Sequence, residues 1–202
     1  MKIFLFTFYN VIQRFLGLAR FKLYLRRSDV IKVIFGAGNT SLKGWFSTEK
    51  VFFDLLNIND YLKFFFHKKL DFVLIEHVLE HFELDEVRLI AKYLFEFTNT
   101  KCNLRIAVPD GFHPDIEYIN YVKPGGYGPG EHKILLNYRS LSDIFQNVGF
   151  NYSVIEYWDE EGNFHSTYAD DEKGAIFRSF KNDLRNLNGK PHYTSLIIDF
   201  YK

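Results

Sequence analysis

The stretch from Val30 to Glu49 constrains the fold of this chain more than any other. An apolar run ends at Phe35 and is followed directly by Gly36-Ala37-Gly38. Two glycines after a buried strand let the backbone turn tightly and let a ligand approach its N–H groups. The next short segment ends in Glu49, where an acid in dinucleotide-binding folds meets ribose hydroxyls. The stretch therefore predicts the start of a nucleotide-binding α/β domain.

The glycine pattern of this turn is incomplete. Ser41 stands where the third glycine of G-x-G-x-x-G would fall. Because the full pattern binds a pyrophosphate, its incomplete form favours a ligand that has adenine and ribose but no pyrophosphate. S-adenosylmethionine (SAM) is such a ligand, and we predict it as the cofactor.

Strand-like and helix-like segments alternate over the first two thirds of the chain. The long amphipathic stretch Leu84 to Phe97 predicts a helix between two apolar runs. This alternation is typical of a parallel sheet with crossover helices. The predicted strands are 30–35, 51–57 (with Asn57 at its polar end), 70–75, 103–108, 151–158 and 195–200, the last two forming a closing antiparallel hairpin.

Length and composition exclude several classes of protein. With 202 residues the chain can bury one full α/β core, and its formal net charge of zero gives no basis for nucleic-acid binding. The single cysteine, Cys102, excludes an internal disulfide and a four-thiolate metal site. We therefore expect a cytoplasmic protein with no nucleic-acid partner, and we assign no metal ligands.

The first 28 residues differ from the rest. They contain six lysines and arginines and no acid, and their apolar positions recur with helical spacing. We predict a basic amphipathic helix over 1–28 and the main domain over 29–202. Two interpretations are open: the helix packs on the domain before the first strand, or it lies on an anionic membrane surface as a peripheral contact.

The run Glu76-His77-Val78-Leu79-Glu80-His81 is the densest chemical cluster. If it were helical, His77 and His81 would share a face, as in the inverted zinc-protease pattern His-x-x-Glu-His. Alternatively, the cluster follows a central parallel strand, where the crevice of an open α/β sheet lies. In that case Glu76 and His77 would line the sulfonium and amino-acid end of the cofactor. A purely structural role for the two histidines is the third possibility.

Several of these segments together resemble a known enzyme family. The segments are Gly36-Ala37-Gly38, Gly44-Trp45 with Glu49, Leu70-Asp71-Phe72, Glu76 to His81, and Leu104 to Asp110. Together they resemble the class I SAM-dependent methyltransferases. More narrowly, the chain is similar to predicted bacterial methyltransferases that share an EHVxEH motif and a downstream Tyr-Trp-Asp-Glu segment, here Tyr157 to Glu160. The resemblance extends from about Val30 to Asp199.

The resemblance implies both a fold and a cofactor site. The fold is α/β, a Rossmann-like seven-stranded, mostly parallel sheet with one antiparallel strand and helices on both faces. SAM would lie against Gly36, Ala37 and Gly38, with its ribose at Glu49. Adenine would lie near the polar end of the third strand, at Asn57, where relatives typically have Asp, or at Asp54.

Catalysis by such a site depends mostly on geometry, because SAM is already an activated methyl donor. A general base is needed only for a hydroxyl or charged-amine acceptor. The candidates are Asp110, His113 and His132. Asp110 directly precedes the Gly- and Pro-rich insert 111–132, His113 lies in it and His132 is its last residue.

The segment 156–193 mixes aromatic rings with charged residues. This mixture is as consistent with an ordinary solvated subdomain as with a site for a small polar or glycan-linked acceptor. We therefore predict a methyltransferase with an unidentified acceptor. The alternatives are a non-catalytic SAM- or nucleotide-binding protein and a zinc peptidase of the His-x-x-Glu-His type.

Overall fold

The computed structural model describes the backbone of residues 2–202 and the side chains of residues 15–186 and 188–202. The helices are α1 (Lys2–Arg27), α2 (Ile58–Phe65), α3 (Leu84–Phe97), α4 (Ile116–Val122) and α5 (Tyr138–Gln146), with short 3₁₀ helices at Leu79–His81 and Leu187–Gly189. The strands are β1 (Lys32–Phe35), β2 (Phe46–Ser47), β3 (Leu70–Glu76), β4 (Thr98–Pro109), β5 (Asn151–Trp158), β6 (Phe164–Ser166) and β7 (Ser195–Tyr201).

The seven strands form one sheet in the order β2-β1-β3-β4-β7-β5-β6. Neighbours among β2, β1, β3 and β4 are parallel, and β7 pairs antiparallel with both β4 and β5. The predicted α/β, Rossmann-like, mostly parallel sheet and its closing antiparallel hairpin are confirmed. Two strands run against the others rather than one, because the tight turn around Gly162 folds β6 back onto β5.

One face of the sheet is covered by helices. Alternate strand residues such as Val33, Val73 and Ile106 point to this side and join a core that also contains Phe21 of α1, Tyr61 of α2, Leu94 of α3 and Phe145 of α5. Aromatic rings fill much of this core. This arrangement is the usual packing of amphipathic helices on a sheet.

The opposite face is covered differently from what we expected. Residues 167–194, which we name the cover segment, contain only the 3₁₀ helix Leu187–Gly189 as helical structure. Tyr168 and Ile176 of this segment pack on Ile34 and Leu74 of the sheet. Irregular structure therefore covers much of this face, whereas helices α1, α2, α3 and α5 pack on the other.

The second half of α1 packs on the domain. Phe21 is fully buried among Phe46, Phe52 and Phe64, and Leu25 is also buried. Phe15 and Leu23, in contrast, are exposed. Within the described part of the chain, we find no helix that combines the length and apolar character needed to cross a membrane.

Two predicted segments differ in the structure. The strand predicted over 51–57 is a pair of turns, because Phe52 and Phe53 donate backbone hydrogen bonds to Glu49 rather than to a strand. Asn57 caps α2, its side chain accepting a hydrogen bond from the backbone of Asn59. The insert 111–132 is not irregular throughout, since it contains α4.

Candidate functional site

The site lies where the sheet connections change direction. The chain passes from β1 outward to β2 on one side, whereas β3 and β4 lie on the other side of β1. In open α/β sheets, ligands bind outside the carboxyl ends of the strands at such a switch point. The residues that follow β1 and β3 here are Gly36 and His77.

The turn after β1 requires its glycine. Gly36 has φ +62° and Gly38 has φ +53°, in the left-handed region that glycine favours. A Cβ atom on Gly36 would lie 2.7 Å from Cγ2 of Val78, so the turn is also tightly packed. Next to Gly38, space is open: no heavy atom lies within 4 Å of a Cβ built there. The turn thus exposes bare backbone at the mouth of the crevice.

Glu49 lies beside this turn. Burial raises the pKa of the Glu49 carboxyl, while a hydrogen bond from the backbone of Gly38 acts in the opposite direction. The structure therefore brings the acid after β2 next to the glycine turn after β1. Both are predicted from the sequence as cofactor residues, and Glu49 lines a separate cavity together with Trp45 and Phe52.

His77 is the central residue of the site. Its φ of +51° is left-handed, which is uncommon for a residue with a side chain and typical of functional positions. Its Nε2 lies 2.8 Å from Oγ of Ser195, whose hydroxyl donates to the carbonyl oxygen of Arg178. Because that hydroxyl has a single hydrogen, Nε2 of His77 must donate to it. The other nitrogen, Nδ1, lies 3.3 Å from the Glu80 carboxylate.

The Glu80 carboxyl lies against histidine side chains. Burial, the largest influence, would raise the pKa of this carboxyl, but the nearby imidazoles of His77 and His81 together with its own backbone N–H outweigh burial and lower the pKa.

Three cavities meet at His77, and we name them by their position. The inner cavity, next to Gly36, has a volume of about 290 Å³. The turn cavity, along the glycine turn, has a volume of about 750 Å³. The histidine cavity, lined by His77 together with His81 and His132, has a volume of about 210 Å³. The inner cavity is lined by Phe35, Gly36, Lys50, Phe53, Asp54, Leu55, His77, Val78, His81 and Phe82. Gly36 is shared with the turn cavity, and His77 lines all three.

Glu76 shapes the crevice through the cover segment. Its carboxylate, 8% exposed, accepts hydrogen bonds from the backbone of Phe177 and Arg178. These bonds place Arg178 so that it lines both the turn cavity and the histidine cavity, together with Arg185. Glu76, predicted from the sequence as a cofactor contact, itself lines the turn cavity and in addition positions Arg178.

Asn57, the residue predicted to lie near adenine, is placed elsewhere in the structure. Asn57 does not line any of the three cavities, since its side chain caps α2. Asp54, the alternative that the sequence allowed, lines the inner cavity and accepts a hydrogen bond from the backbone of Leu56 through Oδ1. Its other oxygen, Oδ2, has no such bond among the described contacts, so of the two residues that the sequence offered, Asp54 is the one that lines a cavity at His77.

Asp110 and His113 lie away from the crevice. Asp110 is fully buried and accepts backbone hydrogen bonds from Phe112 and Trp158, and burial raises its pKa to about 6. His113 stacks on Tyr118 with ring centroids 4.0 Å apart, and burial lowers its pKa to about 4. Both predicted bases are therefore packing residues, placed there because the turn after β4 folds inward under α4.

His132 is brought into the crevice, where it lines the histidine cavity. The backbone of Lys133 donates to the carbonyl oxygen of Glu80 and thereby fixes the end of the insert against the 3₁₀ helix. The sequence reasoning did not select Lys50, Arg178 or Arg185 as cofactor contacts. Their only signal was charge, which is equally common on solvated surfaces.

The zinc-peptidase interpretation required a helix that presents His77 and His81 on one face. The structure has a 3₁₀ helix of three residues, Leu79–His81, and His77 precedes it in a left-handed conformation. Nε2 of His77 is also bonded to Ser195. The pair that defines the inverted zinc-protease pattern is therefore not assembled.

Comparisons with known proteins gave structural similarity only. No family model and no curated protein matches the chain. A SAM dependent methyltransferase from Archaeoglobus fulgidus is similar at 16% identity and a TM-score of 0.48, covering 95% of this chain and 97% of that one. An O-methyltransferase family protein from Burkholderia thailandensis is similar at 12% and 0.45, covering 79% and 59%.

A third structure, magnesium protoporphyrin IX methyltransferase from Synechocystis PCC 6803 with bound SAH, is similar at 13% identity and a TM-score of 0.39, covering 77% of this chain and 49% of that one. With identities and TM-scores this low, we base no functional argument on these similarities.

Proposed function

We propose that this protein binds SAM in the crevice around His77 and transfers its methyl group to a small polar or glycan-linked acceptor. The observation that carries the proposal is the meeting of three cavities at one residue, beside a glycine turn and an acid. The adenosine of SAM, its amino-acid part and the acceptor need neighbouring cavities, because the methyl group and the acceptor atom must meet at a single point. We also propose a place among the bacterial methyltransferases with the EHVxEH motif, since both Glu-His pairs of that motif contribute to the crevice.

The residues present fit the cofactor. Asp54 in the inner cavity offers a carboxylate to the amino group of adenine, and Glu49 offers one to the ribose hydroxyls. The backbone from Gly36 to Gly38 carries no bulky side chain, so the amino-acid part of SAM can pass close to it. Arg178 and Arg185, which line the turn cavity, would bind the carboxylate of the amino-acid part, as guanidinium groups commonly do.

When bound, SAM supplies a methyl group on a positively charged sulfur. The contribution of the chain is to orient the acceptor in the histidine cavity and to exclude water. His77 and His132 line that cavity, and either imidazole could take the proton of an acceptor hydroxyl. Tyr121 and Tyr193 offer rings to the CH faces of the acceptor.

A binding measurement with SAM tests the site. By isothermal titration calorimetry we expect the wild-type chain to bind SAM, and Glu49→Ala to bind it about 10 to 100 times more weakly, because hydrogen bonds from ribose hydroxyls to a charged group are lost. Glu161→Ala is the matched control, since Glu161 is an exposed acid far along the chain. An absence of SAM binding in the wild type, or equal affinity in Glu49→Ala, would contradict the proposal.

The glycine turn gives an independent test. Gly36→Ala forces a side chain into a left-handed position and against Val78, and we expect loss of SAM binding. Gly44→Ala is the matched control, because Gly44 has φ +84° but faces open space away from the three cavities. If both variants fold and bind SAM equally, the crevice is misplaced.

Turnover distinguishes an enzyme from a protein that only binds the cofactor. Purified chain incubated with SAM and a panel of polar acceptors should form S-adenosylhomocysteine, at a rate that depends on the acceptor. SAM binding without any product across the panel would favour the non-catalytic alternative.

The membrane interpretation of residues 1–28 is tested by liposome flotation of the full chain against a truncation that begins at Asp29. Equal flotation would reject it.

A further inference from the structure

The structure assigns a divalent transition-metal site to Glu80, His81 and His132. One ligand atom from each residue lies within 4.8 Å of the other two. The sequence analysis assigns no metal ligands, and the zinc interpretation weighed there pairs His81 with His77 rather than with His132. The proposal goes beyond methyl transfer and does not depend on it.

The first observation is an unpartnered buried carboxylate. Glu80 is 1% exposed, yet neither Oε1 nor Oε2 has a hydrogen-bond partner with proper geometry among the described residues. His77 approaches Oε1 at 3.3 Å without completing a hydrogen bond. A buried carboxylate normally has several hydrogen bonds or a cation, so the free oxygens of Glu80 point to a missing positive charge.

The second observation is the orientation of the two imidazoles. Nδ1 of His81 lies 3.2 Å from the carbonyl oxygen of Glu131, and Nδ1 of His132 lies 2.5 Å from that of Val122. A carbonyl only accepts, so each Nδ1 carries the proton and each Nε2 is left with a lone pair. Metal-binding histidines are held in this way, with one ring nitrogen donating to the backbone and the other free for the metal.

The three side chains lie close together in the structure. Nε2 of His132 lies 4.0 Å from Oε1 of Glu80. The rings of His81 and His132 have centroids 5.0 Å apart, and both rings lie over Gly130. A Cβ on Gly130 would lie 3.0 Å from Cε1 of His81 and 3.8 Å from Nε2 of His132. The glycine therefore leaves room for the two rings to approach each other.

The donor set identifies the class of ion. Two imidazoles and one carboxylate suit Zn²⁺ and the neighbouring divalent transition metals, whereas Mg²⁺ and Ca²⁺ prefer oxygen ligands. At bond lengths of about 2.0 to 2.1 Å the ligand atoms must approach one another by roughly 1 Å on binding. Such a site leaves one coordination position open, and all three residues line the histidine cavity. Water or an oxygen of a small molecule in that cavity would take the open position.

Titration with Zn²⁺ alone tests the site. The full chain, without an affinity tag and after dialysis against a chelator, is titrated in a calorimeter without SAM. We expect one Zn²⁺ per chain, with affinity reduced at least about 100-fold in His81→Ala and in His132→Ala, because each variant removes one of three protein ligands. His67→Ala is the matched control, since His67 is exposed and lines none of the three cavities that meet at His77, and it should bind like the wild type.

Glu80→Gln extends the test to the carboxylate, and circular dichroism shows whether this buried variant still folds. If it does not, the exposed His81 decides the matter alone, because its replacement leaves the core intact. Failure of the wild type to bind Zn²⁺ at micromolar concentration would overturn the proposal. Unchanged affinity in both histidine variants would do the same. Either result leaves SAM binding, measured separately, unaffected.

Discussion

The two faces of the sheet are held by different interactions. The helical face is an apolar core of interlocking aromatic and aliphatic side chains. The other face has four buried charged residues, Glu76, Arg105, Glu156 and Asp199. Each of them makes a hydrogen bond with the cover segment or with another of the four. Burial of apolar surface is not directional, whereas these polar bonds are.

This difference is connected to the position of the site. A segment with little helical structure cannot rely on a repeating apolar stripe, so it needs individual bonds to fix its path. Arg105 provides several, donating to both oxygens of Asp199, to Asp171 and to the carbonyl oxygen of Gly174. The same segment then carries Arg178 and Arg185 over the crevice. Precise polar anchoring on this face is what positions the site residues.

The largest expected effect comes from breaking this anchoring. Arg105→Met leaves Asp199 buried with Lys173 as its one remaining charged partner among the described side chains, and we expect the free energy of unfolding to fall by about 3 to 5 kcal/mol. Chemical denaturation of the wild type and the variant measures it.

The double variant Arg105→Met/Asp199→Leu is the sharper comparison. It removes the unpaired carboxylate as well, so it should be more stable than Arg105→Met alone. If the single variant loses less than about 1 kcal/mol, or the double variant is the weaker, the polar anchoring of this face is overestimated.

A smaller effect is expected from pH, again on the polar face. Burial raises the pKa of Glu156 to about 7, although hydrogen bonds from Phe180 and Ser166 oppose the shift. Between the ordinary value of 4.5 and about 7, the unfolded chain has lost this proton while the folded chain keeps it. The stability of the folded state must therefore fall as pH rises through this window, by on the order of 3 kcal/mol from this group.

Glu156→Gln isolates this contribution, because Asp110 and His113 titrate in an overlapping range and are common to both proteins. The neutral amide still accepts from the backbone of Phe180 and does not titrate. The stability of the wild type minus that of the variant, measured from pH 4.5 to 7.5, should decrease. A difference that is flat, or that rises with pH, would show that Glu156 is ionised in the folded protein throughout.

The sequence predicted the helical face and the crevice better than the polar face. Strands buried on both sides produce apolar runs, and a glycine turn after such a run marks a ligand site, so β1, β3, Gly36 and His77 were found from local patterns. The run from Val51 to Leu56 was misread as a strand, because its apolar residues are buried by turns rather than by a sheet. Asn57, taken as a strand end, was an N-cap.

The cover segment could not be predicted because its order comes from contacts between distant residues. Arg105 and Asp171 are 66 positions apart, and Glu76 and Arg178 are 102 apart. No local periodicity records such pairs. The same reason explains why Asp110 and His113, polar loop residues that suggested catalysis, are buried by the fold. His132, in contrast, reaches the histidine cavity, and the backbone of Lys133 next to it pairs with Glu80.

The smallest expected effect provides the reference for the two faces. Ile106 follows Arg105 on β4, is fully buried and points to the helical face. Ile106→Val removes one methylene group and leaves no polar group without a partner, so we expect a loss of about 0.5 to 1.5 kcal/mol in the same denaturation experiment. Neighbouring positions on one strand would then differ several-fold, because one change leaves a small apolar gap and the other leaves a buried charge. If Ile106→Val were as costly as Arg105→Met, strand β4 itself would be the sensitive element, and the contrast between the faces would disappear.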